Sequence, residues 1–151
     1  MTQRRIYQTE FPYFVTTAVR SRLPFFEDDH HATLLQAVIL DRTAALHCDL
    51  FGYATLLDHV HLLIKPSEEA NISKIMQQIK SSAARNLRLH ANVLEKFWQP
   101  RFNFRIVNDE KRFRNTVAYL SNNHLKHGLN AKYARSPYLY IDDESIRRYL
   151  G

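Results

Sequence analysis

The sequence CDLFGYATLLDHVHLLIK, at residues 48–65, is apolar and strand-like but too long for a single ordinary strand. A break is needed within it, and Leu57-Asp58 is the best position, because aspartate tolerates turn conformations and hydrogen-bonds its own backbone. The stretch therefore predicts two antiparallel strands, at about residues 49–56 and 59–65. Pro66 marks the end of the second strand, since proline cannot donate a hydrogen bond to the ladder.

Strand and helix patterns alternate on both sides of these two strands. Dense β-branched and aromatic side chains favour a strand near the start, and apolar residues at helical spacing favour a helix after it. The predicted elements are a strand at residues 13–19, a helix at about 28–47, an amphipathic helix with an apolar stripe over 72–87 and a cap at Ser67 or Asn71, a strand at 101–107, and a helix from 110 to about 125 followed by Gly128.

The order β-α-β-β-α-β-α predicts an α+β fold with the ferredoxin-like βαββαβ arrangement around one antiparallel sheet. Two crossover helices would cover one face of this sheet. The other face would stay partly open for a site, with the additional C-terminal helix free to approach it. Residues 1–151 are expected to form one domain, in which about 129–151 are an irregular tail with a short helical turn near residues 146–149.

Composition narrows the class of protein. The chain has 151 residues, 45% hydrophobic and 24% charged, which is typical of an ordinary globular domain and not of a disordered chain. Cys48 is the one cysteine, which excludes a disulfide scaffold and a cysteine-rich zinc site. The first 25 residues contain no unbroken apolar run, so we expect no signal peptide, no membrane span and a cytoplasmic location.

The charge balance indicates a polyanionic partner. Lys and Arg number 21 against 15 Asp and Glu, a formal net charge of +6. Such a surface attracts polyanions, chiefly nucleic acid or anionic membrane. A merely basic soluble protein has the same balance, so charge alone leaves both interpretations open.

Two histidines in the second predicted strand are candidate metal ligands. Residues i and i+2 of a strand point to the same face, so His59 and His61 present two imidazoles side by side while Val60 points into the opposite layer. Neutral imidazoles in that arrangement form half of a divalent metal site. The alternative is a pair of half-exposed strand histidines with no ligand.

The last predicted helix supplies the remaining candidates. Tyr119 and Asn123 lie one turn apart on one helix face, beside Arg112, at the shoulder of the apolar stripe. An asparagine carbonyl oxygen can ligate a hard metal ion, and a tyrosine hydroxyl can be a nucleophile toward phosphate. The alternative is a packing tyrosine and a surface asparagine.

Four ordered motifs give the chain a resemblance to a known family over nearly its whole length. It resembles the HUH single-tyrosine transposases, and among them the REP-associated tyrosine transposases and related small insertion-sequence transposases. The motifs are Tyr13-Phe14-Val15-Thr16 followed by Leu23-Pro24-Phe25-Phe26; residues 56–63, similar to the family's MPNHVHLL; residues 97–102, similar to its WQ segment; and residues 119–123 with Lys126 and Gly128-Leu129, similar to YIHNNPVKAGL.

The resemblance implies a role for each matching residue. His59 and His61 match the metal-binding histidines, Asn123 matches the polar residue that completes the site, and Tyr119 matches the nucleophile. Members of the family use Mg²⁺ or Mn²⁺ to cut single-stranded DNA beside a hairpin, through a 5′-phosphotyrosine intermediate that another 3′-hydroxyl can reverse. Members act as monomers or homodimers. The short connection from Val107 to Tyr119 favours a helix docked on its own domain.

The sequence also departs from the family pattern. Leu56-Leu57-Asp58 replaces Met-Pro-Asn, and His124 replaces the proline that usually follows the two asparagines. His124 or His127 could offer an extra metal ligand, although histidines at a helix end usually interact with the helix dipole. These changes leave open a domesticated relative that binds single-stranded or hairpin nucleic acid without cutting it. An unrelated ferredoxin-like RNA-binding or regulatory domain is less favoured, because the paired stacking aromatics of an RNA-recognition sheet are missing.

Cationic side chains elsewhere are candidates for contacts with DNA phosphates. The alternative is a solvated helix face and a frayed basic terminus. The candidates are Arg4, Arg5, Lys74, Lys80, Arg85, Arg88 and Arg112.

Overall fold

The computed structural model describes residues 7–91 and 96–151, so Arg4 and Arg5 lie outside the described residues. Its first seven strands and helices follow the predicted order, and a further strand and helix come after them. The elements are β1 (Tyr13–Ala18), α1 (Asp29–Ala45), β2 (Asp49–Thr55), β3 (His59–Lys65), α2 (Ile72–Ala91), β4 (Asn103–Ile106), α3 (Glu110–Lys126), β5 (Leu139–Ile141) and α4 (Asp143–Leu150), with short 3₁₀ turns at Arg20–Arg22, Phe25–Glu27 and Ala131–Ala134.

One antiparallel sheet organises the molecule, with strand order β4-β1-β3-β2-β5. The first four strands have the ferredoxin-like order, so the predicted α+β fold is confirmed. The predicted break in the apolar stretch is also confirmed, because residues 56–58 form the turn between β2 and β3. In the register of the central pair, Thr16 lies opposite His61.

Helices α1 and α2 cover one face of the sheet and enclose the larger core. The predicted stripe of α2 is the buried one: Ile72, Ile75, Met76, Ile79, Ala83 and Leu87. Asn71 caps this helix, because its Oδ1 accepts a hydrogen bond from the backbone N–H of Lys74 at 2.9 Å. From the sheet, Val15, Val60 and Leu62 point into the same core.

Helices α3 and α4 cover the other face, which is therefore less open than predicted. Phe113 and Leu120 of α3 pack there on Phe51 and Leu63 of the sheet. The predicted helix end is confirmed, since Gly128 has φ 69°, a left-handed conformation that glycine adopts without strain.

The expectation of an irregular tail over residues 129–151 is wrong, whereas the helical turn expected near residues 146–149 is confirmed and lies within α4. This segment contains β5, which pairs with β2, and α4, which is capped by Asp142. Pairing is possible because Gly52 has no side chain: a Cβ at that position would lie 2.7 Å from the carbonyl oxygen of Tyr140. A strand of three residues is too short for an alternation pattern to reveal.

The tail is also attached to the start of α1. Lys132 Nζ donates a hydrogen bond to Asp29 Oδ1 at 2.9 Å, and the Tyr138 hydroxyl donates to the same oxygen at 2.8 Å. Both contacts hold the pKa of the Asp29 carboxyl below its usual value.

Among the residues that the structure describes, no helix is long and apolar enough to cross a membrane.

Candidate active site

His59 and His61 lie side by side on β3 and face the α3 layer. Their ring centroids are 4.8 Å apart, and Val60 between them points into the opposite core, as predicted. The two side chains are not half-exposed, because His59 is only 5% and His61 only 6% accessible. The structure thus holds two imidazoles in a largely water-excluded position.

The Nδ1 atom of each imidazole has a hydrogen-bond partner. His59 Nδ1 donates to Asp58 Oδ1 at 2.6 Å, since a carboxylate can only accept. His61 Nδ1 lies 2.7 Å from Thr16 Oγ1 of the neighbouring strand. With a proton on Nδ1, each Nε2 carries a lone pair, which is the form of histidine that binds metal ions.

Burial keeps these imidazoles neutral. It lowers the pKa of His61 to about 3, because the charged form loses water and lies near the ring of His59. Burial also lowers the pKa of His59, although the Asp58 carboxylate acts in the opposite direction. His61 Nε2 is buried and has no hydrogen-bond partner among the described residues.

Tyr119 of α3 lies against His61. The two ring centroids are 5.7 Å apart, and Phe14 of β1 stacks on His61 at 5.1 Å while meeting the Tyr119 ring edge-on at 5.8 Å. Asp109 fixes the start of α3, because its side chain accepts a hydrogen bond from the backbone N–H of Arg112. The short connection thus docks α3 on the sheet of its own chain.

Asn123 follows Tyr119 by one helical turn and is 1% accessible. Its amide oxygen and nitrogen are both buried without a hydrogen-bond partner in the described part of the chain. One turn further, the ring of His127 lies 5.4 Å from that of His59. Asn123 therefore lies between two contacts that join α3 to the histidine pair. A buried amide without hydrogen bonds lowers the stability of a protein unless a ligand binds to it.

The predicted extra ligands are differently placed. His124 is a buried residue of α3, and His127 contacts His59 through its ring. Within residues 7–91 and 96–151, however, no group of three or more His, Cys, Asp or Glu side chains could hold a metal ion. A third protein ligand would therefore come from another side-chain type, such as the amide of Asn123.

A basic cleft of about 730 Å³ opens beside Tyr119, between α3 and the β4 edge of the sheet. Arg105, Arg112 and Lys126 line it together with Phe14 and Tyr119. Arg112, a predicted DNA contact, thus lines the same cleft as the candidate nucleophile.

The cations of α2 lie in the other layer, across the sheet from Tyr119. Lys74, Arg85 and Arg88 are exposed there. Lys80 instead donates hydrogen bonds to the backbone oxygens of Gln99 at 2.8 Å and Arg101 at 3.4 Å, so it anchors the segment before β4. The structure does not bring these four residues to the histidine pair.

Sequence reasoning missed the residues that support the site. Thr16 is visible only through the register of β1 against β3, and Phe14 shares its face by the two-residue period of a strand. The sequence predicts only a turn for Asp58. Its position directly before His59 is the signal that its carboxylate could also hold the imidazole. Arg105 could have been placed by its register partner, Phe14.

Two solved structures are similar in fold to this protein over most of the chain. A REP-associated tyrosine transposase bound to a REP hairpin superposes with a TM-score of 0.76 at 23% identity, over 92% of this chain and 81% of that one. A candidate transposase from Deinococcus radiodurans R1 gives a TM-score of 0.59 at 18% identity, over 87% of this chain and 100% of that one. The fold is therefore one found among transposases.

The family follows from the sequence itself. A profile of the family described as "Transposase IS200 like" matches residues 7–123. The chain belongs to the IS200-like transposases, a family of enzymes that cut and recombine DNA. A comparison with curated proteins found no significant match.

Proposed function

We propose that this chain is a metal-dependent transposase that cleaves and rejoins single-stranded DNA beside a hairpin, with Tyr119 as its nucleophile. The observation that carries this is the contact of Tyr119 with His61 in one chain, 5.7 Å between ring centroids. The candidate nucleophile and candidate metal ligands are thus neighbours although residues 61 and 119 are far apart in sequence.

The donor atoms suit a divalent ion. His59 and His61 would bind it through Nε2 and Asn123 through Oδ1, and the orphaned buried atoms of His61 and Asn123 would gain a partner. Amide oxygen and water suit Mg²⁺ and Mn²⁺, which retain solvent ligands in their octahedral shells. When bound, such an ion would withdraw charge from the scissile phosphate.

The covalent step belongs to Tyr119. Its hydroxyl oxygen attacks the phosphorus, a P–O bond to tyrosine forms, and the bond from phosphorus to the 3′-oxygen breaks. The phenolic proton is lost and the departing 3′-oxygen gains a proton, which leaves a 3′-hydroxyl. Attack by another 3′-hydroxyl reverses the step and joins two strands, because the phosphotyrosine bond has kept the phosphodiester energy.

Neighbouring side chains would position the reacting groups. Asp58 and Thr16 hold the imidazoles by their Nδ1 atoms, which orients each Nε2. Phe14 contacts the rings of both His61 and Tyr119, so it fixes their relative placement.

The structural relative bound to a REP hairpin supports a hairpin as part of the substrate. The alternative is a domesticated module that binds the same DNA without cutting it. The two functions differ in one product, the covalent protein–DNA adduct.

The test incubates the chain with hairpin-bearing single-stranded DNA and Mn²⁺ and looks for the adduct on a denaturing gel. We expect an adduct with the wild type and none with Tyr119→Phe, which removes only the reacting oxygen. Tyr140→Phe is the matched control, because Tyr140 stacks on Tyr53 in the other layer and should keep the adduct. An adduct that survives in Tyr119→Phe would assign the nucleophile elsewhere, and none with any variant would favour the binding module.

A further inference from the structure

We propose that the cleft beside Tyr119 binds backbone phosphates of the unpaired strand next to the scissile bond, and that Arg105 and Lys126 supply its positive charge. The inference rests on the proposed function, since it says where the cut strand lies. At about 730 Å³ the cleft has the volume of a small-ligand site, which suits a nucleotide or two of single strand.

Both cations are held over aromatic rings of the cleft. The guanidinium carbon of Arg105 is 4.8 Å from the centroid of Phe14, and Lys126 Nζ is 5.3 Å from the centroid of Tyr119. These contacts fix the position of each charge and leave its N–H donors for another partner.

Neither cation has a carboxylate partner within 4.0 Å among the described residues, and no described acidic side chain lines the cleft. Arg112 differs, because it donates to Asn108 Oδ1 at 2.6 Å and lies 3.5 Å from Asp109 Oδ2. Phosphate oxygens are the anionic acceptors that suit an unpaired Arg and Lys beside a phosphoryl-transfer site.

The register of the sheet gives the strand a path. Arg105 of β4 lies opposite Phe14 of β1, and the Phe14 ring stacks on His61 of β3. A phosphate held between Tyr119 and His61 would thus be followed along the strand by a second phosphate at Arg105, whose guanidinium lies over the buried Phe14 ring. Beyond Arg105 the strand leaves the protein, because β4 is the edge of the sheet.

The exposed cations of α2 form the alternative DNA-binding surface, but the nucleotides in the cleft cannot reach them across the sheet. Arg85 and Arg88 lie on α2, which packs on the opposite face of the sheet. They offer a matched control in which the same charge is removed outside the cleft.

The test measures binding of a short oligothymidylate, which has no hairpin, by Tyr119→Phe protein without metal, so that no cleavage occurs. The affinity is followed against salt concentration. Log K falls as log salt rises, and loss of one phosphate contact to a single strand makes this fall less steep by about 0.7. We therefore expect a decrease of about 1.4 for Arg105→Gln with Lys126→Gln, and no change for Arg85→Gln with Arg88→Gln.

Two further variants exclude a folding artefact. Arg105→Lys keeps the charge and should keep most of the slope, and the single Lys126→Gln change, at an exposed position, should give about half of the decrease. The inference would be overturned if the double variant of Arg105 and Lys126 kept the wild-type salt slope. It would also be overturned if the double variant of Arg85 and Arg88 lost as much of the slope. Failure of the proposed function is a separate result: no adduct with wild type while the cleft slopes behave as expected.

Discussion

The two faces of the sheet carry different kinds of side chain. Among the described residues, the core toward α1 and α2 contains 25 buried hydrophobic residues, and the core toward α3 and α4 contains seven. The smaller core adjoins His59, His61 and Asn123, polar residues that are almost fully buried. Three of the five buried side-chain atoms without a partner in the described chain belong to His61 and Asn123.

This difference indicates a division of labour between the layers. Apolar burial near α2 provides most of the stability, at about 25 cal/mol per Å² of apolar surface removed from water. The α3 layer gives up part of that stabilisation to hold polar groups where they can bind a ligand. If so, substitutions in the two layers should separate stability from activity.

The largest effect is expected at the histidine pair. His61→Ala should abolish the covalent adduct while the protein stays folded, because the ring would supply a ligand of the proposed metal ion and lies outside the larger apolar core. Val60→Ala, one residue earlier on the other face, should lower the melting temperature and keep the adduct. Gel assays and thermal melts of both variants check this. Equal loss of adduct in both would mean that the two faces are not separable.

A large effect of the opposite kind is expected in the α2 layer. Ile79 is fully buried there, and Ile79→Ala should lower the free energy of unfolding by about 2–5 kcal/mol through lost contacts and a cavity. Urea unfolding measures the loss, and the adduct formed per folded molecule should match wild type. An adduct yield that falls with no loss of stability would contradict the division.

Asn123→Leu should raise stability without metal. Leucine has nearly the same size and removes two buried, unpaired polar atoms, whose burial costs about 1–3 kcal/mol. We expect Mn²⁺ to stabilise the wild type against heat, and the same variant should lose this stabilisation. A destabilised Asn123→Leu protein with a normal Mn²⁺ response would show that the amide has an internal partner and no metal.

A moderate effect is expected at Thr16. Thr16→Val removes the oxygen that bonds His61 Nδ1, and loss of such a supporting contact typically weakens metal binding by about 10–100-fold. Thr17→Val is the matched control: the neighbouring hydroxyl of Thr17 is buried without a partner among described residues, and Mn²⁺ affinity should not change. Calorimetry compares the two, and equal affinities would exclude the role given to Thr16.

The smallest effect is expected from mixing two inactive variants, where we expect no recovery of cleavage. Because Tyr119 contacts His61 of the same chain, mixing Tyr119→Phe protein with His61→Ala protein should not restore cleavage. Restored cleavage would mean that α3 exchanges between subunits in the active state.

The sequence predicted elements whose patterns are long and local. The stripe of α2 and the paired strands around Asp58 repeat often enough to be recognised, and the ferredoxin-like order followed from them. The two histidines and Tyr119 were found through motifs. The orientation of Asn123 into a buried position was not determined by spacing alone.

Features that depend on pairing between distant segments were missed. β5 is three residues long and exists because it meets Gly52 of β2, and the Thr16–His61 hydrogen bond depends on strand register. The cleft cations Arg105 and Lys126 come from two elements that only the folded sheet brings together. Local patterns carry no information on such contacts.

The family match ends at residue 123, yet the outer edge of β2 is covered by residues 139–141. A chain shortened to the matched length would present the unpaired N–H and C=O groups of β2 to solvent, next to an uncovered apolar surface around Phe51. Bare strand edges of this kind template intermolecular β-pairing and aggregation. We therefore expect a shortened version to precipitate or self-associate at concentrations where the whole chain stays dispersed.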